Sequence, residues 1–483
     1  MTAQAPQPKP LLRLGGLALA ASLSLAGCWS SMSSPDLGGI YNMATLADDS
    51  QRNPIIVIPG ILGSQLRQGS DSRIVWGAFE SGSLDVRNDE GLRALALPMQ
   101  KGVPLSELRD DLTADKVLDK IRVQLLRLPL ESRAYFKLLG VLGAGGYRDQ
   151  SLGGALRYGD KHFTCFQFPY DWRRDIPENA RLLGEFIETK RRFVAAEQKR
   201  RYGMDKPVRF DLVAHSMGGL VTRYYLEYGG AEPSATQGVP WSGADGIDRV
   251  VLIAPPNGGA LDSLDRLVNG ADPSWLLPHF ESALLGTMPA IYQLLPRSRY
   301  ARVSDGERPL DVLNAATWAQ QQWGLLDPAQ TGVLQRLLPD QPDPLLRQQI
   351  AHDHLEKVLA RAREVQAALD RPAPLPEGLT LHLLAADAEA TPAQMRAGRK
   401  PRLDVAALGA GDGIVLRASA LQDERVAQDW QLRLQSPIEW SSVTFLGGDH
   451  LSVFDNEAFA DNLLYLLLEQ PLRLPPQGAL TLQ

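Results

Sequence analysis

Acyl transfer needs a hydroxyl nucleophile, an imidazole that takes and returns its proton, a carboxylate that holds the imidazole, and donors for the oxyanion. The chain offers Ser216, His450 and Asp412 for the first three, in the order serine, acid, histidine. Ser216 sits in FDLVAHSMGGL, where a β-leaning apolar run passes directly into a helical pattern. A serine on so sharp a strand-to-helix turn is a nucleophile elbow, and its neighbours two positions away must be small because strand and helix pass closely. Here they are Ala214 and Gly218, an A-x-S-x-G variant of G-x-S-x-G. The competing reading is a helix N-cap serine followed by a packing glycine.

Only seven histidines are present, which narrows the choice of base. His215 lies inside the elbow and points the wrong way to serve its neighbour. His382 falls mid-strand, His162 opens a strand, and His279, His352 and His354 fall in a helical region. His450, in GGDHLSVF, follows a late strand and precedes the last helix. For the acid, Asp412 is flanked by Gly411 and Gly413, which free the loop to aim a short carboxylate. Asp387 after the preceding strand competes, and Asp449 adjoins the histidine but faces away. The oxyanion donors expected are the N–H groups of Met217, just after the nucleophile, and Ile61, just after the Pro59-Gly60 turn that ends the first strand.

These residues need elements to carry them, and the order of apolar runs alternates strand and helix. That alternation marks a mostly parallel sheet covered on both faces, with the site above the carboxyl ends of its strands. Strands are expected at 55–58, 163–168, leading to Ser216, at 248–254, at 379–385 and just before His450, with a long helix from Pro177 to Tyr202 stopped by Gly203. The fold expected is an α/β-hydrolase. Residues 51–259 would form its first part, with an insertion at about 67–130, and 376–483 its second part. Between them, 260–375 reads as a helical cap without strands. Two readings of the cap stay open, ordinary packing or a lid that meets lipid.

The N-terminus carries Lys9 and Arg13, an apolar run from Leu14 to Ala26, and then Gly27-Cys28. That run is too short to span a bilayer and has the length of a signal-peptide core, so 1–27 is expected to be removed. Leu25-Ala26-Gly27-Cys28 resembles a lipoprotein cleavage box, which would leave Cys28 lipidated and the protein exported. Trp29, where an inner-membrane retention signal has Asp, favours the outer membrane. Residues 28–50 are expected as a flexible tether. Cys165 would then have no intramolecular partner, and its apolar surroundings FTCFQF predict burial. A net charge of −6 gives no basic footprint, which argues against a nucleic-acid partner. No metal or other cofactor is implied, and oligomeric state is not legible.

The series PIIVIPGILGSQL, IVWG, GGYRDQSL, FPYDWRRD, AHSMGG, PAIYQLLPR, GDGIVLRASAL and GGDHLSVF resembles, in order, the lecithin:cholesterol acyltransferase family. That family includes lysosomal phospholipase A2 and phospholipid:diacylglycerol acyltransferases. The resemblance implies Ser216, Asp412 and His450 as triad, Ile61 and Met217 as oxyanion donors, and a lipid ester as substrate. Three features depart from the family. Its first elbow glycine is Ala214, its TPHGG-like turn is APPNGG with Asn257 in the histidine's place, and the cysteines of the animal enzymes' lid are absent. The expectation is therefore a lipid-anchored serine acylhydrolase or acyltransferase. The alternatives are a soluble-substrate carboxylesterase and a catalytically silent envelope scaffold or binding protein.

Overall fold

The computed structural model describes residues 35–46, 52–69, 73–77, 85–118, 121–125, 128–132, 134–152, 162–234, 238–272, 279–427 and 431–471. The chain divides into residues 1–36 and the unit Leu37–Gln483, which carries every element discussed below. Cys28 and the leader lie outside the described residues.

Six strands build the main sheet: β1 (Ile55–Ile58), β2 (Cys165–Gln167), β3 (Phe210–His215), β4 (Ile247–Ile253), β5 (Thr380–Ala386) and β6 (Ser442–Leu446). Their spatial order is β6-β5-β4-β3-β1-β2, and every neighbouring pair is parallel. Strands β1, β3, β4 and β5 are buried at every position. This is why they read as mostly apolar stretches rather than alternating ones, since helices cover both faces of a parallel sheet. The order places β3, which ends at the elbow, between β1 and β4. The early loop after β1 and the late loop after β6 therefore open at the same edge as Ser216. This sheet, with its elbow, is an α/β-hydrolase fold.

Helices α1 (Leu37–Leu46), α2 (Ala134–Ala144), α3 (Ile176–Tyr202), α4 (Met217–Tyr228) and α5 (Pro344–Leu369) matter most for the site. Pro177 lies in the first turn of α3, and Gly203 closes it at φ 66°, a left-handed conformation that suits glycine. All twelve residues of α4 are buried. Such a helix can carry polar groups only if they are paired, and Arg223 Nη2 donates to Glu227 Oε1 at 3.0 Å and to Leu369 O at 2.7 Å. The second bond ties the end of α5, in the cap, to the helix that follows Ser216. Burial still pushes the Glu227 carboxyl up to about 7, the arginine beside it opposing the shift.

The structure departs from expectation in three segments. Residues 37–46, expected within the tether, form α1, with Tyr41 buried and Thr45 donating to Ala144 O at 2.6 Å. The region 260–375 is largely helical but contains two short strands, Arg302–Asp305 and Arg308–Pro309. They join Glu389–Ala397 and Leu403–Gly411 in a second, four-stranded sheet. Glu389–Ala397 and Leu403–Gly411 form a long antiparallel hairpin whose outer face is largely exposed. Its Ala- and Gly-rich sequence carries little β propensity, so pairing rather than side-chain preference makes it a sheet. Within the insertion, Ser64–Gln68, Ile74–Trp76 and Leu112–Val117 make a further three-stranded sheet.

Candidate active site

Ser216 occupies φ 52°, ψ −128°, a strained conformation for a residue with a Cβ, and α4 begins at the next residue. The close passage that the elbow demands is visible at Gly218. A Cβ there would sit 2.3 Å from Pro59 O and 2.8 Å from Ile58 O. Ala214, the departure at the other flank, is buried on β3 between Ile58 and Leu252, and its methyl packs into the core. The strain holds the hydroxyl above the sheet, where a regular strand or helix would turn it sideways.

Three of the expected residues meet there. His450 Nε2 lies 2.9 Å from Ser216 Oγ, and His450 Nδ1 lies 2.7 Å from Asp412 Oδ2. The other carboxylate oxygen, Oδ1, accepts the N–H groups of Ile414 at 3.0 Å and Val415 at 2.6 Å. Thr391 Oγ1 accepts the Gly413 N–H at 2.8 Å, which anchors the acid's loop to the hairpin before it. The loops of Asp412 and His450 are also joined by backbone, His450 N donating to Asp412 O at 2.9 Å. All three side chains are buried. Burial alone would push the His450 imidazole down, but the Asp412 carboxylate bonded to it more than offsets this, and it lies above its ordinary value.

The competitors are placed elsewhere. Asp387 pairs with Arg417. Asp449 caps its own turn, Oδ1 accepting the N–H groups of Leu451 and Ser452, both at 2.8 Å. His382 faces Ser442 Oγ at 2.8 Å, and His354 faces Thr287 O at 3.2 Å. Asn257 is fully buried, donating to Ala420 O at 2.7 Å and accepting from Arg223 at 3.2 Å, a structural role away from Ser216.

Ile61 and Ser216 line one pocket, together with His450. Met217 is the first residue of α4, so its N–H has no acceptor within the helix and points with the positive end of the dipole toward the turn. The pocket has a volume of about 100 Å³ and apolar walls that include Leu62, Trp172, Phe280, Leu285, Ile291 and Leu294. The last four come from the cap segment. Asp262 and Arg266, an ion pair at 2.6 Å, lie on its rim and also border a polar cleft of about 980 Å³. Sequence reading missed these wall and rim residues, because leucines and charged pairs on cap helices look the same whether or not a pocket lies beneath them.

Residues 135–322 match the family model described as lecithin:cholesterol acyltransferase. That segment is similar to the lecithin:cholesterol acyltransferase family. It spans α2, the elbow with Ser216, and the first part of the cap, while Asp412 and His450 lie beyond it. The match supports an ester-hydrolysing or acyl-transferring enzyme. Among solved structures, the chain is similar to one described as the Tle4–Tli4 complex, at 16% identity, 87% of this chain, 98% of that one and a TM-score of 0.49. It is also similar to the mature form of Bacillus licheniformis lipase BlEst2, at 12% identity, 87% and 94% coverage and a TM-score of 0.32. A further similar structure is lipase 1 from Pelosinus fermentans, at 13% identity, 87% and 99% coverage and a TM-score of 0.28. A search of curated protein sequences finds no match.

Proposed function

We propose that the protein transfers an acyl group from a lipid ester, a glycerophospholipid or similar, through an acyl-enzyme to water or an alcohol. The observation that carries this reading is the hydrogen-bonded line from Asp412 through His450 to Ser216, opening into an apolar pocket. Ser216 Oγ attacks the ester carbonyl as His450 Nε2 takes its proton, and Asp412 stabilises the imidazolium that forms. The Ile61 and Met217 N–H groups donate hydrogen bonds to the oxyanion. His450 returns the proton to the leaving alcohol, and the acyl group stays on Ser216. A second attack, by water or an alcohol activated at the same nitrogen, releases it.

A cavity of about 100 Å³ takes only a few methylenes, well short of the roughly 300–1,000 Å³ usual for a small-molecule pocket. Binding a long acyl chain therefore requires the cap residues Phe280, Leu285, Ile291 and Leu294 to move apart. The polar cleft across the Asp262–Arg266 pair offers room for a headgroup or an acceptor. We further propose that the protein is exported and anchored through lipidated Cys28 to the cell envelope, at the outer membrane. Such an anchor holds the pocket beside its substrate.

The test incubates pure protein with a labelled phospholipid, alone and with a sterol or diacylglycerol, and separates free fatty acid from new ester. Fluorophosphonate labelling of Ser216 runs in parallel. Neither product, with Ser216 unlabelled, sinks the reading, while turnover of short soluble esters alone favours a carboxylesterase. Replacing Cys28→Ser is expected to move the protein from the membrane to the soluble fraction; unchanged partition would refute the anchor.

A further inference from the structure

The residue before the nucleophile has a buried imidazole with no part in the proton transfers described above. His215 Nε2 lies 3.1 Å from the backbone carbonyl of His450, and its Nδ1 lies 2.9 Å from the Tyr135 hydroxyl. A carbonyl oxygen only accepts, so Nε2 carries the proton. Burial and the neighbouring His450 push His215 well below its ordinary value, so the ring is neutral and Nδ1 is bare. Tyr135 must then donate to Nδ1, and its oxygen in turn accepts the Gly60 N–H at 2.5 Å. Burial raises the Tyr135 phenol far above neutral pH, which keeps that donor in place. The directions are thus consistent at every link: Gly60 N–H to Tyr135 Oη, Tyr135 O–H to His215 Nδ1, His215 Nε2–H to His450 C=O.

The ends of this chain are the two parts of the site that must hold a constant separation. Gly60 directly precedes Ile61, whose N–H is the proposed oxyanion donor, and the orientation of its peptide sets where that donor aims. His450 is the proposed base. Gly60 also comes so near that a Cβ on it would lie 2.8 Å from Ser216 Cβ and 3.2 Å from His215 Nδ1. Phe454 closes the arrangement, its ring 5.1 Å from that of His215 and 6.2 Å from that of Tyr135.

We propose that Tyr135 and His215 are positioning residues, forming one hydrogen-bonded chain that fixes the oxyanion loop at Gly60-Ile61 against the backbone of His450. The proposal rests on the acyl-transfer reading. Helix α2 thereby acquires a purpose in the chemistry, since it delivers Tyr135 to the loop after β1.

Three variants cut the chain at different links. Tyr135→Phe removes the hydroxyl and both of its bonds. His215→Asn keeps an acceptor near Nδ1 and loses the link to His450, whereas His215→Gln can reach the His450 carbonyl with its amide nitrogen. The readout is fluorophosphonate labelling of Ser216, resolved into the inactivation rate kinact and the binding constant KI, with a melting curve for each variant. A misplacement near 1 Å costs up to about 100-fold in rate. Tyr135→Phe and His215→Asn are therefore expected to lower kinact by about 10- to 100-fold. KI should stay within about twofold for both, and His215→Gln, which keeps the link to His450 but offers Tyr135 no acceptor at Nδ1, should lose kinact as Tyr135→Phe does. The double variant Tyr135→Phe/His215→Asn should be no slower than the slower single one, because one chain is cut twice. Variants that melt lower yet keep the wild-type kinact would overturn the proposal and leave the pair as core packing. Should Tyr135→Phe not fold, wild-type kinact for both His215→Asn and His215→Gln overturns it as well. An unlabelled wild-type protein is a different result, which removes the acyl-transfer reading and this proposal with it.

Discussion

Replacing Asp412→Asn isolates the part of the site whose geometry is most completely defined. The amide oxygen can still accept the Ile414 and Val415 N–H groups, so the loop keeps its shape. The amide nitrogen then takes the place of Oδ2, 2.7 Å from His450 Nδ1. A donor facing Nδ1 forces the imidazole proton onto Nε2, the atom that must be bare to accept from Ser216 Oγ at 2.9 Å. A wrong tautomer of this kind lowers kcat by about 10⁴-fold in a serine enzyme. At about 1.4 kcal/mol per tenfold, this is about 5.5 kcal/mol of transition-state stabilisation, with KM little changed. The pH dependence carries a second sign. His450 acts as base only when neutral, and Asp412 raises its pKa, so activity is lost as pH falls through that raised value. Without the carboxylate the pKa drops, and the residual activity should persist to lower pH. The assay is steady-state hydrolysis of a p-nitrophenyl ester across pH, with Asp387→Asn as comparison. The latter is expected to stay within about twofold, since Asp387 is paired with Arg417 rather than His450. A kcat for Asp412→Asn within tenfold of wild type, or a larger loss from Asp387→Asn, would refute the assignment of the acid.

Other outcomes follow from packing. Gly218→Ala drives a methyl onto Pro59 O and should cost about 3 kcal/mol in a denaturant melt. Ala214→Gly, restoring the commoner elbow residue, should cost about 1 kcal/mol and leave kcat unchanged. Leu294→Ala removes about three carbons from the pocket wall and should shift the optimum in a p-nitrophenyl ester series to chains longer by roughly that number, at about 2–5 kcal/mol of stability. The Cys165 thiol is buried, and burial pushes its pKa up. In a Cys28→Ser background it should be inert to a thiol reagent until the protein is unfolded, and rapid labelling of the native protein would contradict the structure.

The turn at Ser216 and the placement of His450 were legible because both are local patterns. A strained turn needs small neighbours, and a histidine after a late strand and before the last helix is a local pattern. The main strands were legible for a related reason, since burial on both faces leaves apolar stretches such as Ile55–Ile58 in β1, 212–214 in β3 and 250–253 in β4. The hairpin of Glu389–Ala397 and Leu403–Gly411 was not legible, because its exposed Ala-rich face carries no alternation and its stability comes from pairing. The same hairpin carries Asp412 to His450, so the choice between Asp412 and Asp387 depended on a long-range pairing that spacing does not encode. Helix α1 was hidden by Gly and Ser, and becomes a helix by burying Tyr41 against the core.

By itself, the sequence determined the nucleophile's turn, the parallel class of the sheet and a shortlist of partners, since each follows from interactions within a few residues. Tertiary structure alone decided which carboxylate reaches the imidazole, that about 100 Å³ of apolar space lies beside Ser216, and that Tyr135 meets His215 across 80 residues of chain. Those contacts join segments far apart in the chain, and a hydrogen bond between them leaves no periodic trace in either segment.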